Sequence, residues 1–446
     1  MSALTDLFPE IYRYKAQDAG KVRLVSGAAA ALAVCAAAGY SVAKTTASWP
    51  DYLTAVTGMQ FNMLVFYGAL CTAKSVTQEK AERTWDFQRL TPLSSFEIAA
   101  GKFLGAPVFA WFLFACMLPA ALLTLPMSGE TPGLFFSRYA LGLSCALLAM
   151  AGGLLVSAYD DSGGSGMGHL AGPLVGLVGV GVLNAAFRYA DSLGRPYEQL
   201  ITFYGTRLGA AEGLIFLSGS FLAFAAWAFL GARYRIGRDL LERRRAWRLP
   251  AFLVFLAWYA AGWEHAGNSG EPPFAALLLP ALGAYIAAFL SGERREYWRR
   301  WLRGGDPARR LDDTPEWIKG AAAVFFIGAL LWLAYVVALP PGGKQYWRMY
   351  YILPLFLLRD LMFLQWCRFS GSRRPEMMAL AYLALAYFLP LVVLAPTGMN
   401  DWLIFFVPYA REASGLAANA AGPLIQAVLM GVLLRLKIRS ALGGGA

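Results

Sequence analysis

The chain has 446 residues, of which 58% are hydrophobic and 15% are charged, and its mean hydropathy is +0.48. A water-soluble protein of this length needs more polar surface to cover its core, so the composition excludes an ordinary soluble fold. The formal net charge of +11 could indicate nucleic-acid binding, but the placement of the basic residues argues against that partner.

Apolar runs of roughly 18 or more residues recur along the chain, and such runs are the sequence mark of membrane-spanning helices. We predict twelve spans, at 24–43, 52–73, 103–127, 135–158, 171–187, 212–231, 249–263, 274–291, 320–339, 350–366, 377–395 and 418–435. Helices fit better than barrel strands, because each run is continuously apolar and lipid demands that backbone groups bond within the segment. The predicted fold is therefore an all-α polytopic membrane protein, and because the fifth, seventh and tenth runs are short, counts of eleven and ten stay open.

The N-terminal residues 1–23 precede the first span. Leu7, Phe8, Ile11 and Tyr12 fall at helical spacing with charges opposite, which predicts a helix lying in the inner membrane interface. A solvated tail is the alternative.

The basic residues are concentrated on one side of the predicted topology. With the N-terminus inside, the inner loops and tails hold 30 of the 39 Lys and Arg residues, the outer loops hold 8, and Arg359 lies at membrane depth. This positive-inside bias predicts that both termini are cytoplasmic, in a multi-pass protein of the cytoplasmic membrane. The same bias explains the basic clusters as topology signals and lipid-headgroup contacts rather than nucleic-acid sites.

The twelve spans divide into two groups of six. Corresponding spans of the two halves begin at similar separations along the sequence. Each half also has a long inner loop after its second span and a long outer segment before its last span. Six spans return the chain to the same side, so the halves are predicted to be parallel repeats. The predicted division is a first unit at 24–232, a basic cytoplasmic linker at 233–248, and a second, diverged unit at 249–446.

The long outer segments are aromatic but interrupted by polar residues, Gly or Pro. They read "YEQLITFYGTRLG" at 197–209 and "NDWLIFFVPYARE" at 400–412. Aromatic side chains favour the membrane interface, so short helices dipping into the outer interface are predicted. The alternative is that each segment only anchors the start of the following helix.

The inner loop after the second span carries a specific local pattern, "EKAERTWDFQRLTPLSSFEIAAGKFL" at 79–104. Pro92 ends whatever helix precedes it, and Ser94 with Glu97 forms an S-x-x-E capping box. We predict a short separate helix at about 77–90, then a helix that starts near Ser95 and runs unbroken into the third span. The product would be a rigid elbow attached to a membrane helix.

This pattern resembles the cytoplasmic loop of type 2 ABC exporter permeases, the membrane subunits of ATP-binding cassette transporters. The matching positions are Glu79, Glu82, Thr91, Pro92, Leu93, Ser94, Glu97, Gly101 and Lys102. In that family the loop contacts the ATPase subunit, so the resemblance implies an ATPase-coupling role for Glu79, Glu82, Arg83, Trp85, Asp86, Arg89, Thr91, Pro92, Leu93, Ser94, Glu97 and Lys102. The second half keeps tryptophans and a Thr-Pro pair in its corresponding loop but lacks the Leu-Ser and the capping glutamate.

Nucleotide chemistry is not expected in this chain. The nearest approach to a phosphate-binding loop, "PPGGKQ" at 340–345, has Gln where the hydroxyl belongs. ATP and Mg²⁺ are therefore expected in a partner ATPase on the cytoplasmic side, and no cofactor is expected here. His169 and His265 fall on opposite sides of the predicted membrane, so no metal site is expected.

Three questions stay open from the sequence alone. A twelve-span secondary carrier driven by an ion gradient is the rival function, although its usual membrane-depth carboxylates are few, with Asp360 beside Arg359 and Glu212 near an interface. The candidates for a substrate path are Gln60, Asn62, Asn184 and Gln426, whose alternative role is bonding to neighbouring helices. The sequence also allows the chain to act alone or as a homodimer.

Overall fold

The structure, a computed structural model, describes residues 14, 20–46, 48–160, 168–192, 201–242, 245–264, 274–291, 298–299, 301–302, 311–338, 348–372, 374–408 and 416–443. The first half contains α1 (Lys21–Thr45), α2 (Trp49–Ala81), α3 (Trp85–Arg89), α4 (Ser95–Gly105), α5 (Val108–Ser128), α6 (Pro132–Tyr159), α7 (Gly168–Ser192), β1 (Ile201–Phe203), β2 (Thr206–Leu208) and α8 (Ala210–Asp239). The second half contains α9 (Arg248–Glu264), α10 (Ala275–Leu290), α11 (Glu316–Ala338), α12 (Met349–Phe369), α13 (Pro375–Leu394), a 3₁₀ helix (Asn400–Phe405) and α14 (Leu416–Gly443).

Long apolar helices dominate the architecture, as expected for an all-α polytopic membrane protein. Within the described residues, nine helices are long and apolar enough to cross a membrane, namely α1, α2, α5, α6, α7, α8, α11, α13 and α14. The other predicted spans fall on α9 and α10, which have 17 and 16 residues, and on α12, which carries Arg359 and Asp360. The count of twelve spans stays a prediction. The proposed interfacial helix at 1–23 lies almost entirely outside the described residues.

The chain divides into two compact units, and the division falls between Arg243 and Arg244, inside the predicted linker. Because α8 continues to Asp239, the first part of that linker, from Arg233 onward, is helical rather than a loop. Unit 1 is 1–201 with 208–243, and unit 2 is 202–207 with 244–446.

Unit 1 is built around α2 and α6. The helix α2 packs against α5, α6 and α7, while α6 packs against α7 and α8. Glycines allow the close approach of α2 and α6: a Cβ placed on Gly153 would lie 2.6 Å from the carbonyl oxygen of Ala69. Small residues at such contacts let helices pack in lipid, where no hydrophobic effect drives them together.

Unit 2 has its buried centre on α12, which packs against α10, α11, α13 and α14. The helix α9 packs on α10 and α11, and the 3₁₀ helix contacts α13 and α14. Along α13 the residue Ala379 is buried while most of the apolar side chains are exposed. Lipid is the natural solvent for such a surface.

The described part of the first outer segment, residues 201–209, is not a helix, and that prediction was wrong. Residues 201–208 form a two-stranded hairpin, whose turn residues Tyr204 and Gly205 both have positive φ, 48° and 75°. Such a pair matches a two-residue primed turn, which reverses the chain within the hairpin. Inside unit 2, Tyr204 donates from its amide to the Gly262 carbonyl at 2.8 Å and from its hydroxyl to Trp258 O at 2.7 Å.

The second outer segment does contain a short helix, the 3₁₀ helix at Asn400–Phe405, and residues 409–415 of that segment lie outside the described residues. Its location in the membrane interface stays a prediction.

We predict that Gly153→Ala lowers the thermal unfolding midpoint of the detergent-solubilised chain. The new methyl group would overlap the α2 backbone, and overpacking of this kind costs about 1–3 kcal/mol. The matched control is Gly152→Ala, where the nearest atom is Val175 Cγ1 at 3.5 Å. Both variants gain the same helix propensity, so an equal midpoint for the two would contradict the close α2–α6 contact.

Candidate functional site

The candidate site is the elbow, defined as residues 79–102, which joins α2 to α5. With 33 residues, α2 is about 50 Å long, which is longer than the roughly 30 Å thickness of a hydrocarbon core. The elbow begins at the C-terminal end of α2. It comprises the last turn of α2, a break at 82–84, α3, the turn around Pro92, and most of α4.

Two local predictions for the elbow were wrong. Residues 77–81 belong to α2, and the helix breaks afterwards because Arg83 adopts a positive φ of 59°, a conformation uncommon for a residue with a Cβ. The helix starting at Ser95 does not run unbroken into the third span but ends at Gly105. Pro107, which precedes α5, cannot donate a backbone hydrogen bond, and this favours a break there.

The carboxylate of Glu79 is the centre of the elbow. Lys102 Nζ lies 2.5 Å from Glu79 Oε2, and Gln88 Nε2 donates to Glu79 Oε1 at 3.0 Å. The backbone carbonyl of the same residue accepts from the Thr84 amide at 2.9 Å. One residue therefore ties the end of α2 to α3 and α4. Both charges are buried, so each depends on its partner for compensation.

An apolar cluster lies directly beside this ion pair. Trp85 is buried, and Lys102 Nζ lies 5.6 Å from the centre of its indole ring, close enough for a cation–π contact. The cluster around Trp85 contains Val76, Ile98, Ala99, Leu154, Ala158, Ala232 and Ile236. These residues come from α2, α4, α6 and α8, so the inner face of the elbow is packed onto three long helices.

The end of α8 holds the elbow from another side. Glu242 accepts from the Ser95 amide at 2.8 Å and from the Ser95 hydroxyl at 2.6 Å. Arg89 Nε donates to the carbonyl of Asp239 at 3.1 Å. The start of α4 therefore bonds to Glu242, just after α8, and the end of α3 bonds to Asp239, the last residue of α8.

The predicted capping box at the start of α4 is confirmed. The Ser94 amide donates to Glu97 Oε2 at 2.8 Å, and the Glu97 amide donates to Ser94 Oγ at 3.3 Å. The hydrogen bonds from the Ser94 amide and hydroxyl favour the charged carboxylate and lower the pKa of Glu97 from its usual value.

The outer face of the elbow carries exposed residues of mixed character. We call Arg83, Asp86, Phe87, Arg89 and Leu90 the elbow tip. Phe87 is 73% exposed and Leu90 is 83% exposed. Two large apolar side chains on a surface outside the spanning segments, among charges of both signs, are typical of a protein contact.

The residues to which the resemblance assigns coupling roles therefore fall into two groups. Glu79, Trp85 and Lys102 are buried and hold the elbow together, and Ser94 and Glu97 cap α4. A partner can reach the exposed members Glu82, Arg83, Asp86, Arg89, Thr91 and Pro92, with Leu93 half-buried. Phe87, Leu90, Gln88 and Glu242 were not among the residues predicted from the sequence. Phe87 and Leu90 are apolar residues in a charged run, a signal that could have found them, but no local signal links Glu242 to Ser95.

The candidate substrate-path residues all bond to other helical segments. Gln60 donates to the Phe114 carbonyl and accepts from the Tyr139 hydroxyl, and Asn184 donates to Asn62 at 3.1 Å. In unit 2, Gln426 accepts from Arg359 and donates to the Phe405 carbonyl. These contacts match the alternative role as bonds between helices, and a role in a path stays a prediction.

The corresponding loop of unit 2 is described in part. Trp298 stacks on Trp317 with ring centres 6.2 Å apart, and Lys319 pairs with Glu316 at 3.1 Å within one turn of α11. Lys319 thus pairs with a residue of its own helix turn, whereas Lys102 pairs with a residue of another helix.

Among the described residues of the whole chain, no group of three or more His, Cys, Asp or Glu side chains could hold a metal ion.

We predict that Lys102→Met destabilises unit 1 strongly, by about 3–5 kcal/mol, because it removes the buried cation that bonds the Glu79 carboxylate. Adding Glu79→Gln should restore much of the loss, as measured by thermal unfolding in detergent. The control is Asp86→Asn, which removes an exposed pair with Arg89 and should change little. Equal loss in the single and double variants would show that the two side chains are not coupled.

We also predict a pH dependence at the start of α4. The pKa of Glu97 is depressed in the folded state, so the stabilisation is complete above the unfolded pKa and is lost as the pH falls through the folded value. Hydrogen exchange at 94–98, corrected for intrinsic rates, should show protection falling below about pH 4.5. Glu97→Gln keeps an acceptor that does not titrate, so its protection should not vary with pH. Parallel profiles for the two proteins would contradict the capping role.

Comparison of the chain with models of protein families, with curated proteins and with solved structures gives no match in any of the three.

Proposed function

We propose that this chain is the membrane permease subunit of an ATP-binding cassette exporter, which moves a substrate across the cytoplasmic membrane using a separate ATPase subunit. The observation that carries the proposal is the division of the elbow into a fastened inner face and an exposed tip. The resemblance of residues 79–102 to the coupling loop of type 2 exporter permeases supplies the identity of the partner.

The contacts of the elbow suit a part that transmits force. A force applied to the elbow tip would be transmitted to α2 through Glu79 and to α4 through Lys102. It would also be transmitted to the end of α8 through Asp239 and Glu242. Because the Glu79 contacts are buried and the Ser95–Glu242 contact is bidentate, we expect the tip to move with the helices rather than independently of them. ATP binding and hydrolysis in the partner would then shift helices of unit 1 as rigid bodies.

The proposal includes the membrane topology. The elbow faces the cytoplasm, where ATP is available, and both termini lie on that side, in agreement with the positive-inside bias. Both units contain packing between the corresponding span pairs 1–2, 1–3, 2–3, 2–4, 4–5 and 4–6 of each half. These shared pairings support the proposed parallel six-span repeats and their origin by duplication.

The rival function, an ion-driven carrier, has less support from the described residues. Its main candidate for coupling, Asp360, forms an ion pair with Arg359 at 2.7 Å and accepts hydrogen bonds from Tyr285 and Tyr387. Glu212 accepts from the Gly209 amide at the start of α8. Because an arginine and two hydroxyl groups already bond its oxygens, Asp360 is less available to a coupling cation than an unpaired carboxylate would be.

The proposal is tested by affinity purification of the tagged chain from native membranes. A stoichiometric ATPase of the cassette class should be recovered with it, and ATP should drive substrate export from inverted vesicles that contain both. Transport that follows an ion gradient in the absence of any ATPase would replace the exporter with the carrier.

We predict that Phe87→Ala with Leu90→Ala lowers recovery of the ATPase at least tenfold, because the few anchor residues at the centre of an interface each cost more than about 1 kcal/mol when truncated. The matched control is Met127→Ala, which removes an exposed apolar side chain at the far end of α5. Both proteins should keep the wild-type unfolding midpoint. Undiminished recovery with the double variant would place the partner elsewhere.

A further inference from the structure

In unit 1, α4 packs against the last turns of α8 at the depth where we expect a membrane surface. The helix α5 has 21 residues and is about 30 Å long, which matches the hydrocarbon core, so we expect its first residue, Val108, near one boundary of that core. Phe103 lies shortly before that residue, and its ring centre is 5.4 Å from that of Phe229 on α8. This contact brings Phe229 to the same boundary.

Arg233 of α8 lies just beyond this boundary. It follows Phe229 by one helical turn, about 6 Å, which is the depth of the lipid headgroups. The guanidinium carbon of Arg233 is 5.4 Å from the centre of the Phe96 ring, at the start of α4. Its Nε is buried and donates no hydrogen bond. Leaving a charged donor without an acceptor costs free energy, so an acceptor from outside the chain would be favoured here.

The carboxylates at the adjoining ends of α4 and α8 are already bonded to other groups. Asp239 pairs with Arg235 at 2.6 Å, and Glu242 accepts from the Ser95 hydroxyl at 2.6 Å. The carboxylate in the first turn of α4 accepts from the cap of its own helix. Within the part of the chain that the structure describes, Arg233 therefore has no ion pair. Its positive charge is left for an anion that the protein does not supply.

An apolar stripe runs along α4 from the membrane boundary to this arginine. Phe96 and Leu104 are each 43% exposed, and with the half-buried Phe103 they fall at i, i+8 and i+7, on one side of the helix. The opposite side of α4 packs on α6 and α8. A ligand that covers the stripe and also neutralises the arginine must be apolar at one end and anionic at the other.

We propose that this face of α4 and α8 binds an anionic phospholipid, whose phosphate bonds to Arg233 and whose acyl chains lie along Phe103 and Leu104. Phosphatidylglycerol is a lipid of this class. A soluble phosphate would satisfy the arginine but would leave the apolar stripe uncovered. The binding does not rest on the proposed exporter function.

The bound lipid lies beside the contact that holds the elbow to α8. Gly237 is one turn after Arg233, and a Cβ placed on it would be 3.3 Å from Ser95 Cβ, so the two helices touch there. Glu242 bonds to the same serine. A lipid that bridges α4 and α8 would therefore stabilise the folded elbow by binding it in preference to the unfolded chain.

The experiment uses the full chain, delipidated in maltoside micelles without any ATPase. Native mass spectrometry with equal amounts of phosphatidylglycerol and phosphatidylcholine should show about fivefold more retained phosphatidylglycerol, since one arginine near a membrane surface favours anionic lipid by about that factor. The unfolding midpoint should rise with phosphatidylglycerol and should not rise with glycerol 3-phosphate. Equal retention of the two lipids, or an equal rise with glycerol 3-phosphate, overturns the proposal.

Arginine variants assign the preference to this position. Arg233→Gln should abolish the preference for phosphatidylglycerol, whereas Arg233→Lys keeps the charge and should keep most of it. The matched control is Arg245→Gln, which removes an exposed arginine of the same basic cluster and should leave the preference unchanged. An equal loss in the two Gln variants would indicate attraction by overall charge and would overturn the site.

A variant of the stripe tests the acyl chains separately. Leu104→Ser should lower the retention of both lipids while keeping their ratio, because the chains lose an apolar contact and the arginine stays in place. The control is Leu123→Ser, at an exposed position within α5. Retention that falls equally in the two serine variants contradicts the stripe as the chain-binding surface.

The two proposals can fail separately. Loss of the ATPase partner with an intact lipid preference would reject the exporter and keep the lipid site. Recovery of the ATPase with equal retention of the two lipids would reject the lipid site and keep the exporter.

Discussion

The buried ion pair between Glu79 and Lys102 is the interaction on which the elbow depends. It joins residues at the end of α2 and on α4 across 23 positions of chain, in a place where neither charge is compensated by water. Such a pair adds little net stability compared with apolar residues of the same size, but it tolerates few alternative arrangements. Its value here is geometric, because it fixes the angle at which the elbow leaves α2.

The rest of the elbow follows from that fixed angle. Trp85 fills the space beside the pair, and the Ser94–Glu97 cap starts α4 at a defined residue. Glu242 then fastens α4 to the end of α8. With the inner face committed to these contacts, Phe87 and Leu90 are left on the outside, where a soluble partner can reach them.

The two units solve the same local problem in different ways. In unit 1 a buried lysine reaches across to a different helix, whereas in unit 2 Lys319 pairs within its own turn and stacked tryptophans supply the contact between segments. Among the described residues of unit 2, Asp360 accepts hydrogen bonds from Tyr285 of α10 and Tyr387 of α13, which join both helices to α12. In the exporter that we propose, this difference would give unit 1 the main coupling surface.

The sequence by itself determined the membrane class, the approximate positions of the helices and the cap at Ser94, because long apolar runs and capping patterns are local signals. It did not determine the break at Arg83, the break at Pro107 or the hairpin at 201–208, since each depends on backbone conformations that compete closely with helix. It indicated Glu79 and Lys102 through a resemblance, without showing that they pair. The contacts of Ser95 with Glu242 and of Arg89 with Asp239 were decided by the tertiary structure alone, because they join residues about 150 positions apart that carry no mutual signal in one sequence.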